Sequence, residues 1–180
     1  TLMRSSAASD VYKRQVIYST STNVEYTITD YLGRSYTATL VAKDANYDLA
    51  ILRFEKTDEL LEIEAEINNP SVNSDVISLG QPKGQSNAIT YGTIQSYNNI
   101  QLTNAKPEET NITFQTIAHT SFIASGSSGG PLLNTDLKLI GINFAGATNK
   151  SGEFVSGHTV PIEKVREFVL TYGEAYQLTI

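Results

Sequence analysis

The sequence predicts an all-β barrel or sandwich finished by a single C-terminal helix. Three observations predict it. From Val16 onward, apolar residues recur with a period of two in short runs broken by Gly-, Asn- and Pro-bearing turns. Only Pro161–Leu170 carries the 3.6-residue period of an amphipathic helix. Ten Tyr and six Phe, no Trp and 12 Gly suit a pleated, turn-rich chain.

Each element follows from local pattern. Val24–Thr29 alternates and is β-branched, so it reads as a strand. Gly33 turns the chain, and Tyr36–Ala42 returns as the hairpin partner. Asp48–Phe54 is a strand opened by an acid, and residues 55–69 form an acidic connector ending in the turn Asn69-Pro70-Ser71. Asp75–Gly80 runs into the turn Gly80–Gly84, and Ala88–Tyr97 is a long strand in which Gly92 marks a bulge or tight bend. Residues 98–110 read as a polar loop and Asn111–Ile117 as an alternating strand. Leu132-Leu133 and Leu137–Phe144 pair across Asn134-Thr135-Asp136. In the helix, Ile162, Val165, Phe168 and Val169 share one face, and Pro161 suits the first turn.

Composition narrows the function. At 180 residues the chain is one domain or two small barrels with a shared core. A net charge of −6 argues against a phosphate-backbone binder, so no nucleic acid is expected as partner. No run of eighteen apolar residues occurs, so no membrane insertion is expected within this chain. Without Cys there is no disulfide, thiol nucleophile or Cys-type zinc site, and two His make a His-rich metal site a poor fit. No metal and no cofactor are expected.

The chemistry concentrates in Gly126-Ser-Ser-Gly-Gly-Pro131. A Gly/Ser cluster alone is a flexible turn. This one lies between two core strands, which a linker would not. A serine hydroxyl attacks a carbonyl usefully only if the resulting oxyanion is stabilised, and the backbone N–H groups of Gly126 and Ser128 can do that when the loop curls to point both one way. Gly126 permits the backbone angles this needs, and Gly129 and Gly130 permit close strand approach.

Gly126-Ser-Ser-Gly-Gly-Pro-Leu132 resembles the nucleophile motif of chymotrypsin-fold, trypsin-like serine proteases, above all the HtrA/Deg-like branch. Three further stretches match that branch in order: Asp48-Leu-Ala-Ile-Leu52, Ser78–Gly84 followed by Ile89–Ile94, and Ile140-Gly-Ile-Asn-Phe-Ala-Gly146. The resemblance covers residues 16–170. It implies a double antiparallel β-barrel with a C-terminal α-helix and a serine-type endopeptidase acting on polypeptides. It implies Ser128 as nucleophile, Asp48 as the acid that orients the catalytic histidine, and Gly126 and Ser128 as oxyanion-hole donors. It places Ile123, Ala124, Asn143, Phe144 and Ala145 around the P1 side chain. Asp44, Asp30 and Asp58 compete with Asp48, which is preferred because it directly precedes a buried-looking run.

The histidine of that triad has no match. Where the family reads His-Val-Val or His-Val-Ile, this chain reads Gln15-Val16-Ile17, thirty-three residues ahead of Asp48. Glutamine is no base at neutral pH, so the chain as written is expected to be inactive. Residues 1–15 read as a non-native or disordered tail joined to a gene cut at the histidine, residues 16–70 as the remnant of an incomplete N-terminal barrel, and residues 71–180 as the C-terminal barrel and helix. His119 reads as a strand residue with its hydrogen bond satisfied. His158 lies beside the P1 pocket by resemblance and could favour acidic or amide side chains, although alternation more readily turns it away. A non-catalytic peptide-binding module is the alternative, and an unrelated adhesion sandwich fails to explain the ordered motifs. The resemblance further implies action outside the cytoplasm, by secretion or an anchor, and an oligomer is possible.

Overall fold

A computed structural model describes residues 24–30, 32–55, 60–81, 88–100 and 110–173. The N-terminal part is an antiparallel meander of β1 (Tyr26–Thr29), β2 (Ser35–Asp44) and β3 (Leu49–Arg53). Six further strands follow: β4 (Asp75–Gly80), β5 (Ala88–Asn98), β6 (Thr116–His119), β7 (Pro131–Leu133), β8 (Leu139–Thr148) and β9 (Phe154–Pro161). They close into a barrel in the order β4-β5-β6-β9-β8-β7, with β7 returning to β4. Closure removes the free edges that would otherwise pair with another chain. Helix α1 (Ile162–Gly173) starts at the end of β9. The all-β class with a terminal helix is therefore observed, with one closed barrel and an open three-stranded sheet among the described residues. No described helix is long and apolar enough to cross a membrane.

Gly33, at φ 80°, makes the β1–β2 turn. Asp30 fastens it by accepting the N–H groups of Leu32 and Arg34, the Arg34 Nε–H and the Tyr36 hydroxyl. Burial alone would raise the Asp30 carboxyl, but these donors hold it down at about 2.

Three apolar clusters hold the parts together. Val76, Ile94, Ile117, Leu132 and Ile140 come from five barrel strands and fill the barrel. Leu49 and Ile51 of β3 join Leu133, Ile142, Phe144, Val160 and the α1 residues Ile162, Val165, Phe168 and Val169 in a second cluster, the seam between sheet, barrel and helix. These four helix residues are the predicted face. Tyr26, Ala38 and Leu52 form the sheet's own small core. Burying such a side chain stabilises by about 1.5–3 kcal/mol, so the seam is the main bond between the halves.

Asn69 of the connector fastens the start of α1. Its side chain accepts the Glu163 N–H, and Glu163 returns a carboxylate oxygen to the Asn69 N–H, both at 3.3 Å. This reciprocal pair satisfies a donor that the first helical turn leaves open.

Three local expectations need correction. Gly92 sits in regular register opposite Val76, and the β5 irregularity falls between Ile94 and Ser96. Gly92 is needed because a Cβ there would lie 2.1 Å from the Ser121 backbone nitrogen. The strand expected at Asn111–Ile117 instead spans Thr116–His119, and all four residues are buried, because both faces of β6 are covered. The turn signalled by Asn69-Pro70-Ser71 is centred slightly later: it runs from Ser71 to Ser74, whose N–H closes on the Ser71 carbonyl, with Asn73 at φ 71°.

Candidate active site

The segment Ala124–Gly130 is two turns that share Ser127. Ser127 N–H closes the first on Ala124 C=O at 2.8 Å, and Gly130 N–H closes the second on Ser127 C=O at 3.0 Å. The third residue of each is a glycine in the left-handed region, Gly126 at φ 101° and Gly129 at φ 80°. Ser127 is buried, and its hydroxyl accepts the Ala124 N–H. Gly130 runs so close to β4 that a Cβ on it would lie 2.1 Å from the Leu79 carbonyl oxygen. The glycine-rich stretch is thus a rigid double turn clamped between strands.

Ser128 is the second residue of the second turn. Its Oγ donates to the Phe144 carbonyl oxygen on β8 at 3.0 Å. Asn143, next along β8, grips the same loop on both sides: its carbonyl accepts the Gly129 N–H at 2.7 Å, and its N–H donates to the Gly130 carbonyl at 3.0 Å. The N–H groups of Gly126 and Ser128 make no hydrogen bond among the described residues.

Asp48 is buried and ends the turn Ala45–Asp48 at φ 53°, directly before β3. The turn is fastened from several sides. The Asn111 N–H donates to the Ala45 carbonyl at 2.8 Å, and the Tyr172 hydroxyl of α1 to Asp44 at 2.6 Å. The Tyr47 ring packs on Phe168, 5.5 Å between centroids, and its hydroxyl donates to Glu167 at 2.5 Å. Leu49, the residue after Asp48, shares the seam cluster with Phe144, whose carbonyl Ser128 engages. Asp30 and Asp44 are committed to turns, whereas Asp58 and Gln15 lie outside the described residues.

The sequence matches the trypsin-like peptidase domain family over residues 8–142. The chain belongs to the trypsin-like peptidase family. A probable periplasmic serine endoprotease, DegP-like, of Buchnera aphidicola is 34% identical over 81% of this chain. The serine protease Do-like HtrA of Bacillus subtilis is 31% identical over 80% of it. These relatives bear out the HtrA/Deg-like resemblance. The chain spans about a third of their length, 31% and 33% respectively. The solved structure of the HtrA-type protease AlgW with a decapeptide shares the fold with a TM-score of 0.73 at 23% identity, covering 96% of this chain and 50% of that one.

The expected P1-side residues of this trypsin-like peptidase divide in two. Ile123, buried, faces β8: its carbonyl oxygen lies 3.4 Å from where a Cβ on Gly146 would sit. Ala124 begins the double turn, and Ala145 pairs with His158 across β8 and β9. The Asn143 side chain points into the barrel, where its Nδ2 donates to Ser78 Oγ at 2.8 Å. His158 lies on the other face of β9 from Thr159, which pairs with Asn143. Its ring nitrogens lie 3.5 Å from Thr116 Oγ1 and 3.1 Å from Ser156 Oγ, and burial pushes the imidazole below its usual range.

A chain of buried polar groups that no local sequence pattern signals runs inside the barrel. Thr159 Oγ1 donates to Asn143 Oδ1 at 2.6 Å, and His119 Nε2 lies 3.0 Å from Thr159 Oγ1. His119 is a fully buried strand residue whose Nε2 hydrogen bond is made, as expected, while its Nδ1 has no hydrogen-bond partner. Burial pushes its imidazole down to about 4. Its ring lies against Gly157, where a Cβ would come within 2.3 Å of Cε1. The one available signal was that glycine, two residues before Thr159. No group of three or more His, Cys, Asp or Glu placed to hold a metal occurs among the described residues.

Proposed function

We propose that this chain is a serine endopeptidase domain that hydrolyses polypeptides through an acyl-enzyme on Ser128. In this reading residues 16–70 and 71–180 are the two halves of one peptidase unit. One observation supports it: the Ser128 hydroxyl sits on a double turn whose Gly126 and Ser128 N–H groups make no hydrogen bond among the described residues. Attack of Oγ on a peptide carbonyl would place the developing oxyanion on those donors, each worth about 3–4 kcal/mol in the transition state. The amine leaves, and water then hydrolyses the ester.

Attack also needs an acceptor for the Ser128 proton. Asp48 would orient such a base. His119 and His158 are both committed to hydroxyl partners inside the fold, and Ser128 donates to a carbonyl, which is no base. We therefore assign the base position to residue 15 and read the chain, with Gln15, as catalytically silent. Removing one member of such a triad lowers turnover by about 10⁴- to 10⁶-fold. Ile123, Ala124, Phe144 and Ala145 would line the P1 side chain, with His158 behind them. By the names of its relatives, the domain acts outside the cytoplasm.

Fluorophosphonate labelling tests this. The chain as it stands should not label, Gln15→His should label, and Ser128→Ala in that background should abolish it. Labelling that survives Ser128→Ala overturns the assignment of the nucleophile. Equal labelling with Gln and His at position 15, or none with either, overturns the assignment of the base.

A further inference from the structure

The buried polar chain inside the barrel ends at the loop that carries Ser128, and its direction can be read from chemistry alone. Asn143 Nδ2 lies 2.8 Å from Ser78 Oγ and 3.5 Å from the Pro131 carbonyl, which can only accept. The amide nitrogen therefore faces Ser78, and Oδ1 faces Thr159. Oδ1 can only accept, so the Thr159 hydroxyl gives it its one proton. Thr159 Oγ1 must then accept from His119, which fixes His119 as the Nε2–H tautomer. Nδ1 keeps a bare lone pair in a fully buried site. The backbone of Asn143 meanwhile binds Gly129 and Gly130, the two residues after Ser128.

We infer that His119 is a positioning residue for the Ser128 loop, acting through the hydroxyl of Thr159 and the amide of Asn143. The inference rests on the reading of Ser128 as the functional group of this loop, but its mechanism is geometric. Nδ1 makes no hydrogen bond as the ring now lies, and burial disfavours the charged form more than the Ser121 backbone and the Asn143 amide favour it, so a proton added there strains a ring wedged on Gly157 and shifts it. Movement of the ring withdraws the donor from Thr159 and frees Asn143 to rotate. The surroundings supply no competing charge. Strands β5, β8 and β9, which flank the ring, carry no Asp, Glu, Lys or Arg. Their titratable groups are Tyr91, exposed, Tyr97, bonded to the Pro70 carbonyl, and His158.

The test is a pH titration of the full chain by nuclear magnetic resonance, following the His119 Cε1 carbon and the Gly129 and Gly130 amides from pH 7 to 3. The expected result is a shared midpoint for all three, distinct from that of His158. In Thr159→Val the glycine amides should lose at least about two thirds of their response, and Thr159→Ser, which keeps the hydroxyl, should retain it. Glycine amides that do not follow His119, or that follow it equally in Thr159→Val, overturn the inference. The wild-type titration decides even where Thr159→Val does not fold. The readout uses no catalysis, so its failure leaves the peptidase reading untouched, and failure of labelling leaves this one untouched.

Discussion

Ser128 Oγ donates to the carbonyl oxygen of Phe144 at 3.0 Å, and Phe144 lies in the same apolar cluster as Leu49, the residue after Asp48. The hydroxyl is therefore tied to a strand residue that packs in the seam between sheet, barrel and helix. A carbonyl fixes the hydroxyl's direction without taking its proton.

In the proposed mechanism a histidine at position 15 supplies the base that the Phe144 carbonyl cannot. Gln15→His should raise the rate of fluorophosphonate labelling by at least about 10³-fold, because nucleophile and base act as a unit. In the same background Asp48→Asn should remove most of the gain by leaving the imidazole in the wrong tautomer, a loss of about 10⁴-fold in other triads. Labelling rates measured on the three proteins check both steps.

The double turn should tolerate little. Gly130→Ala would push a methyl group to within 2.1 Å of the Leu79 carbonyl oxygen, whereas a Cβ on Gly33 meets nothing within 4 Å despite its φ of 80°. Gly33→Ala should cost about 1–2 kcal/mol through backbone strain alone. Gly130→Ala should cost about 3 kcal/mol or more, because backbone must move against backbone. Thermal melts should show about 2–8 °C lost at Gly33 and about 6–12 °C lost at Gly130.

Acid should destabilise the fold in two steps. Burial holds His119 neutral with a pKa of about 4, whereas the unfolded chain takes up that proton near 6.5. The stability from the neutral ring is therefore full above pH 6.5 and is lost as pH falls towards 4, a change of about 3 kcal/mol. His158 is lowered as well and adds to the loss in the same direction. Asp30, lowered from 3.8 to about 2, then loses its contribution as pH falls through that lower range. Urea denaturation at pH 7, 6, 5 and 4 checks the first step, and a flatter profile for His119→Gln assigns it.

Much of this arrangement was legible because its signals are local. The four seam-facing positions of α1 lie three and four apart, and the glycines of the double turn sit where each turn needs positive φ. The rest was not legible because its partners are far apart along the chain. His119 and Thr159 are separated by 40 residues, and Asn143 and Ser78 by 65. Taken singly, each is an ordinary strand residue. Only barrel closure, which sets β6 and β8 on either side of β9, turns them into a connected chain. Gly92 misled for the same reason: a glycine inside a strand fits a bulge or a close approach equally well, and Ser121, which decides the matter, is not a neighbour in sequence.

Helix α1 should tune the Asp48 turn from outside. Tyr47 gives its hydroxyl proton to Glu167, which raises the phenol to about 12, and the carboxyl of Glu167 is lowered by Lys164 and by Tyr47. Tyr172 is raised in the same way by Asp44. Because the folded phenol of Tyr47 holds its proton more tightly than an unfolded one, its contribution is full below pH 10 and is lost as pH rises from 10 towards 12. Tyr47→Phe keeps the ring on Phe168 and Phe114 but drops the hydrogen bond. Its expected cost is about 1 kcal/mol at neutral pH, reduced from the value of a buried charged pair by the water that reaches this edge. Hydrogen exchange should locate the effect: the amides of Tyr47 and Asp48, which close on Asp44 and Ala45, should exchange about fivefold faster. The amides of Gly129 and Gly130 should hold their wild-type rates, because Asn143, not the helix, secures that loop. Acceleration at both places would mean that the seam opens as one unit and that the turn carrying Asp48 has no separate fastening.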